Sequence, residues 1–322
     1  MKKIYSWLMA LMLIGFLAAC GNQGDAGEGK QNTEPKTEQA SEDSFPVTLK
    51  DAADKEVTIE EKPEKIVSLI PSNTEILYAI GAGNEVVAVN ENDNYPEEVK
   101  DKEQVAGMEL NIEKIIALEP DLVLSHGSAG DRWDSGLKQL EDSGIPVLVV
   151  KDAQSFDEVY ETIEFIGKAT GHTDEASDVN EDLKAKLDEI EKKAADIKEE
   201  DQKSVFVEIS PAPEIYAVGK NTFMDQMLGT INAKNAVQEE GWPMMNEEAI
   251  IEMNPEVIIV NYNYVENPVD QVLDRKGWQD IAAVKDKQVH LIDEALTSRP
   301  GPRIAEGVEA LAKAVYPEVF GE

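Results

Sequence analysis

Cysteine is almost absent: Cys20 is the one thiol in 322 residues. That excludes an internal disulfide, a cysteine-based zinc site and a redox pair. Histidine is scarce too. His126, His172 and His290 lie far apart and none has metal-ligand spacing, so no resident metal is expected. His172 falls at a helix break and reads as a surface residue, and His290 reads as structural within a strand. Positive charge is in short supply, with 30 Lys and Arg against 65 Asp and Glu and a formal net charge of −35. So acidic a surface excludes a nucleic-acid partner, because it has little with which to neutralise phosphates. It suits a cationic docking partner instead. Enzyme signatures are missing as well. Gly81-Ala-Gly83 follows a helical pattern and lacks the later glycine of a dinucleotide fingerprint. No phosphate-binding Gly-x-x-x-x-Gly-Lys-Ser/Thr loop and no Gly-x-Ser-x-Gly elbow occurs. Ser125 and His126 are strand neighbours pointing to opposite faces, which does not suit a nucleophile and its base. Neither enzymatic activity nor a cofactor is expected.

The apolar run from Trp7 to Leu17 is shorter than the ~20 residues of a membrane-spanning helix. Preceded by Met1-Lys2-Lys3, it reads as the core of a signal peptide over residues 1–19. It ends in Leu17-Ala18-Ala19-Cys20-Gly21, which resembles a bacterial lipobox. That resemblance implies cleavage before Cys20 and a diacylglycerol on its thiol. The mature protein would then be lipid-anchored to the cell membrane on its extracytoplasmic face. Residues 20–44 form the lipidated end and a tether. The stretch 21–44 has no large apolar side chain with which to offset the entropy of ordering.

One stretch occurs twice. Asn111-Ile-Glu-Lys-Ile-Ile-Ala-Leu-Glu-Pro-Asp-Leu-Val-Leu124 returns 135 residues later as Asn246-Glu-Glu-Ala-Ile-Ile-Glu-Met-Asn-Pro-Glu-Val-Ile-Ile259. Each copy predicts a short helix with an Asn N-cap, a first-turn Glu that suits the helix dipole, a Pro stop and a buried parallel strand. The duplication predicts two similar α/β lobes, each with a parallel sheet. We assign residues 45–154 and 201–322 to them. Between them, 155–200 carries apolar residues at helical spacing, with a break at Gly171-His172. The second part, from about Asp174 to Glu199, predicts one long helix on the order of 40 Å, with one stripe buried.

Aromatic and cationic side chains gather in the predicted loops: Tyr95, Trp133, Tyr216, Trp242, Tyr262, Tyr264, Arg299 and Arg303. A cleft gripping a large, partly planar or anionic ligand needs such residues. His126 joins them, because it follows a predicted strand at its carboxyl end. Tyr95 and Arg303, each beside a proline, are also read as residues that pin loops.

Several pieces together resemble a known family. They are Ile66-Val-Ser-Leu-Ile-Pro-Ser-Asn-Thr-Glu-Ile-Leu77 with Gly81-Ala-Gly83, Pro120-Asp-Leu-Val-Leu124, Gly241-Trp-Pro243, Asn254-Pro-Glu-Val-Ile-Ile259 and Arg299-Pro-Gly-Pro-Arg-Ile304. From about Ile66 to Glu318 the chain is similar to the substrate-binding proteins of ABC importers, in the iron-siderophore and vitamin B12 family. The resemblance implies two α/β lobes joined by one long rigid helix, a class III periplasmic-binding-protein fold. It also implies a monomer that holds its ligand between the lobes with little lobe movement. Its partners would be a permease dimer with its ATPase subunits. Glu113 and Glu248 match the family's two permease-docking acids, one per lobe. Trp242 matches an aromatic that sandwiches the corrin in vitamin B12-binding relatives, while Asn92 and His126 stand where those relatives carry aromatics. The implied ligand is a metal chelate, either a corrinoid or a ferric siderophore. Haem is disfavoured because no Tyr or His stands out as an axial ligand.

Overall fold

A computed structural model describes residues 44–321. The expected signal peptide (1–19), Cys20 and the tether up to residue 43 lie outside the described residues. The described chain opens on an antiparallel hairpin, β1 (Val47–Lys50) and β2 (Glu56–Ile59). Its turn is held by Asp51, whose Oδ1 accepts from the Ala53 and Lys55 N–H groups.

An alternating run follows: β3 (Ile66–Ser68), α1 (Pro71–Ala79), β4 (Val86–Asn90), β5 (Glu103–Ala106), α2 (Ile112–Leu118), β6 (Leu122–His126), α3 (Asp134–Asp142) and β7 (Val147–Val150). The five strands from β3 to β7 form a parallel sheet in the order β5-β4-β3-β6-β7. The chain leaves β3 towards β4 on one side and later returns to its other side as β6. The carboxyl ends of β3 and β6 therefore flank a topological switch point, where open α/β sheets leave a crevice.

Two helices then cross the molecule. α4 (Phe156–Thr170) is capped by Ser155 and ended by Gly171 at φ 67°, a left-handed position that suits glycine. α5 (Thr173–Ala194) has 22 residues, roughly 33 Å. It stops short of the expected Glu199, where a brief 3-10 turn forms instead. Gly167 lets α4 and α5 meet closely, since a Cβ there would sit 2.5 Å from that of Ala176. His172 is enclosed at this junction, with Nε2 3.7 Å from Glu85 and Nδ1 3.9 Å from Glu175. This corrects its reading as a surface residue: the tight helix crossing buries it.

The remainder comprises β8 (Ser204–Glu208), β9 (Ile215–Tyr216), α6 (Phe223–Thr230), β10 (Lys234–Asn235), β11 (Met244–Met245), α7 (Glu247–Met253), β12 (Val257–Val260), α8 (Pro268–Leu273), α9 (Ala282–Lys285), β13 (Val289–Leu291), α10 (Glu294–Thr297), α11 (Ile304–Val315) and α12 (Pro317–Phe320). A second parallel sheet has the order β10-β8-β12-β13, and β9 pairs with β11 as a small ribbon. α4 packs on α1 and β1, while α5 packs on α4, α6 and α11.

Side-chain alternation assigns each sheet two faces. Leu122, Leu124, Val205, Val207, Val257 and Ile259 share one continuous core that runs through α4, α5 and α11. Val67 and Val123 pack on the outer face of the first sheet, and Phe206, Ile258 and Val260 on that of the second. The two sheets are braced through a common helical core.

The repeated stretch is realised down to its caps. Asn111 and Asn246 accept from the backbone N–H of Lys114 and Ala249 at 3.1 and 2.8 Å. Both helices end on a left-handed residue, Glu119 (φ 49°) and Asn254 (φ 47°), immediately before the proline. The acid after each proline also has a purpose. Asp121 accepts from the N–H groups of Glu64 and Lys65, and Glu256 from that of Ser204, so each acid anchors the entry to the neighbouring strand.

Candidate functional site

The loop after β4 is folded by its own side chains. The Asn90 amide donates to the Leu69 carbonyl, its Oδ1 accepts from the Asn92 N–H, and its backbone N–H donates to Asp93 Oδ2 at 2.7 Å. Asp93 is buried, and burial raises its carboxyl pKa to about 6, although the Asn90 N–H and the charge of Arg299 oppose the shift. The loop presents the Asn92 carbonyl and the Asn94 side chain to Arg299, at 3.1 and 2.7 Å.

Arg299 and Arg303 belong to the segment between α10 and α11, and both reach the same carboxylate on α1. Glu75 is 2% exposed, in a helix buried from Pro71 to Leu77. It accepts from Arg299 Nη1 at 2.8 Å and from Arg303 Nε and Nη2 at 2.8 and 2.7 Å. The Arg303 guanidinium also lies over the Tyr95 ring, 4.0 Å from its centre. The second sheet has its own buried carboxylate, Glu208 at the end of β8. Arg275 grips it with two 2.8 Å bonds, Tyr262 Oη donates to it at 2.6 Å, and the Arg275 guanidinium stacks on Trp278.

Above the first sheet's switch point lies a cavity of about 440 Å³ lined by Ile70, Asn92, Arg132, Trp133, Glu294 and Arg299 among others. A second cavity of about 510 Å³ adjoins it, sharing Arg132 and Trp133 and including the exposed Met108. Trp133 is part of the outer core, and its indole N–H has no partner among the described residues.

Of the residues expected at the cleft, Asn92, Trp133 and Arg299 line the 440 Å³ cavity together. His126 is turned away: its Nδ1 accepts from the Ser128 N–H and caps the turn after β6, and burial lowers its pKa. Tyr262 is 1% exposed and committed to Glu208, so it sits inside the second core rather than on a cleft wall. Burial and the adjoining Glu208 carboxylate raise its phenol pKa. Tyr216 is on β9, paired with Met244 of β11, and Trp242 lies in the bend just before β11; both are exposed and do not line that cavity. Glu113 and Glu248 are exposed in the first turns of α2 and α7, and neither makes an ion pair among the described residues. Among the described residues no group of His, Cys, Asp or Glu is arranged to hold a metal ion.

Sequence reasoning missed Glu75 and Arg132. A glutamate directly before the apolar pair Ile76-Leu77 was a usable signal for the former, since a buried carboxylate needs a cation. Arg132, adjacent to Trp133, had no comparable signal.

This architecture has relatives. The periplasmic binding protein family matches residues 66–296. The chain belongs to that family. Over its full length this periplasmic binding protein is 46% identical to the ABC transporter substrate-binding lipoprotein YvrC of Bacillus subtilis (strain 168), covering 99% of that protein. It is 28% identical over 255 residues to the vitamin B12-binding protein of Pectobacterium atrosepticum, covering 75% of this chain and 85% of that one. The crystal structure of a possible iron-binding (periplasmic solute-binding) protein from Staphylococcus epidermidis superposes with a TM-score of 0.72 at 39% identity, covering 80% of this chain and all of that one. The fold is that of the class III periplasmic binding proteins: two parallel-sheet lobes braced by helices.

Proposed function

We propose that this protein is the solute-receiving lipoprotein of an ABC importer, anchored through Cys20 on the extracytoplasmic face of the cell membrane. It acts as a monomer and captures a metal chelate, a corrinoid or a ferric siderophore, by binding without chemical conversion. Residues 45–154 and 201–322 are the gripping lobes, and 155–200 is the brace between them. The observation that carries the reading is the cavity at the strand ends, walled by Trp133, Arg132 and Arg299. A flat indole and guanidinium donors suit a bulky chelate with acceptor groups at its edge. The vitamin B12-binding and possible iron-binding relatives support that ligand class.

Delivery falls to Glu113 and Glu248. They are equivalent exposed acids on equivalent helices, one per lobe, suited to paired cationic sites on a permease dimer with its ATPase subunits. The test is uptake of labelled cyanocobalamin and ferric siderophores by cells lacking this protein. Restoration by the wild-type chain and not by Cys20→Ser supports the reading. Uptake that never depends on the protein contradicts it.

A further inference from the structure

Arginine is the scarcest charge in this chain. Of four arginines, Arg132 and Arg299 line the cleft, Arg303 shares Glu75 with Arg299, and Arg275 is held by Glu208. Arg299 and Arg303 share one carboxylate, so the trio with Glu75 retains one positive charge. Arg132 is exposed and makes no ion pair among the described residues, although the chain offers 65 acidic side chains. It stands in the wall common to the 440 and 510 Å³ cavities. The carboxylates nearby are Glu294 on the first lining, Glu109 on the second, Glu91 beside Gly107, the buried Asp93, Asp152 beside Gly127, and Asp131 and Asp134, which flank Arg132 in the chain and form no ion pair with it. An unpaired guanidinium presents a fork of N–H donors that fits carboxylate and phosphate oxygens. Arg299 is already held in place by Glu75, Asn92 and Asn94, so it loses little freedom on meeting a ligand.

We infer that the cleft selects chelates bearing an anionic group, a carboxylate or a phosphodiester, and that Arg132 is the residue that reads it, with Arg299 as the second donor. The inference deepens the chelate-binding reading and rests on it. Chelates that are neutral or cationic at their edges leave Arg132 to solvent water and forfeit a charge-assisted bond.

The test uses four probes in two pairs, titrated by tryptophan fluorescence. Cyanocobalamin carries a phosphodiester and dicyanocobinamide lacks it; ferric dicitrate is rich in carboxylates and ferrichrome has none. Wild type is expected to favour the anionic member of at least one pair by about tenfold or more. Arg132→Gln should erase the preference with an unchanged denaturation midpoint, and Arg132→Lys should keep part of it. Equal affinity within both pairs, or a preference that survives Arg132→Gln, overturns the inference and leaves the chelate-binding reading standing. Failure of all four probes to bind overturns both.

Discussion

The carboxylate of Glu75 in α1 accepts from Nε and Nη2 of Arg303 at 2.8 and 2.7 Å, across 228 residues of chain. The same carboxylate takes Arg299, so one buried acid ties the first sheet's leading helix to the strap between α10 and α11. That strap forms part of the cleft wall, which makes the cluster a structural support for the site.

Glu75→Gln therefore removes the one carboxylate shared by two largely buried guanidiniums. Losing one partner of a buried pair costs about 3–5 kcal/mol. The expected outcome in urea denaturation is an unfolding free energy lowered by that amount, with weaker ligand binding because Arg299 loses its anchor. A loss below about 1 kcal/mol, the scale of an exposed pair, would contradict this account.

Asp93 gives a pH signature. Its folded pKa of about 6 lies above its ordinary 3.8, so the folded state holds the proton more tightly. The resulting stabilisation is complete below about pH 3.8 and disappears as pH rises through about 6. The gap corresponds to on the order of 3 kcal/mol. Asp93→Asn keeps an acceptor for the Asn90 N–H and removes the titration. Its stability relative to wild type should rise between pH 4 and pH 7, read by denaturation at several pH values; parallel curves would rule the assignment out.

Tyr262→Phe separates structure from recognition. The phenol donates to a buried carboxylate, a bond worth about 1.5–3 kcal/mol. Stability should fall by that amount while chelate affinity stays within about twofold, because the ring is buried in the second core. A marked loss of affinity at wild-type stability would return Tyr262 to the cleft.

Glu113→Ala together with Glu248→Ala should abolish uptake in cells and leave ligand affinity of the purified protein unchanged. Both side chains are exposed and unpaired among the described residues, so stability should change by less than about 0.5 kcal/mol. Wild-type uptake by the double variant would remove them from the docking surface.

Much of the fold was legible because it rests on periodicity and caps. The doubled Asn-to-Pro stretch announced α2–β6 and α7–β12, and its Asn caps form as read. Gly171 marked the break between α4 and α5. The site was less legible because it depends on which side chains meet across long separations. Nothing local distinguishes Tyr262, which turns inward to Glu208, from Trp133, which lines the cavity. The pairing of Glu75 with Arg299 and Arg303 spans more than two hundred residues, and no periodicity reports it. His172 looked exposed because a helix break normally faces solvent, and only the close α4–α5 crossing encloses it.

The central claim is that a metal chelate is held at the strand ends beside Trp133. Calorimetric titration of the purified protein with cyanocobalamin and a series of ferric siderophores tests it most directly, with Trp133→Phe followed alongside. The predicted result is saturable binding of one chelate per chain with a Kd of about 1 µM or tighter, accompanied by tryptophan quenching that Trp133→Phe reduces. Absence of saturable binding across the whole series, or saturable binding with quenching identical in Trp133→Phe, would contradict it.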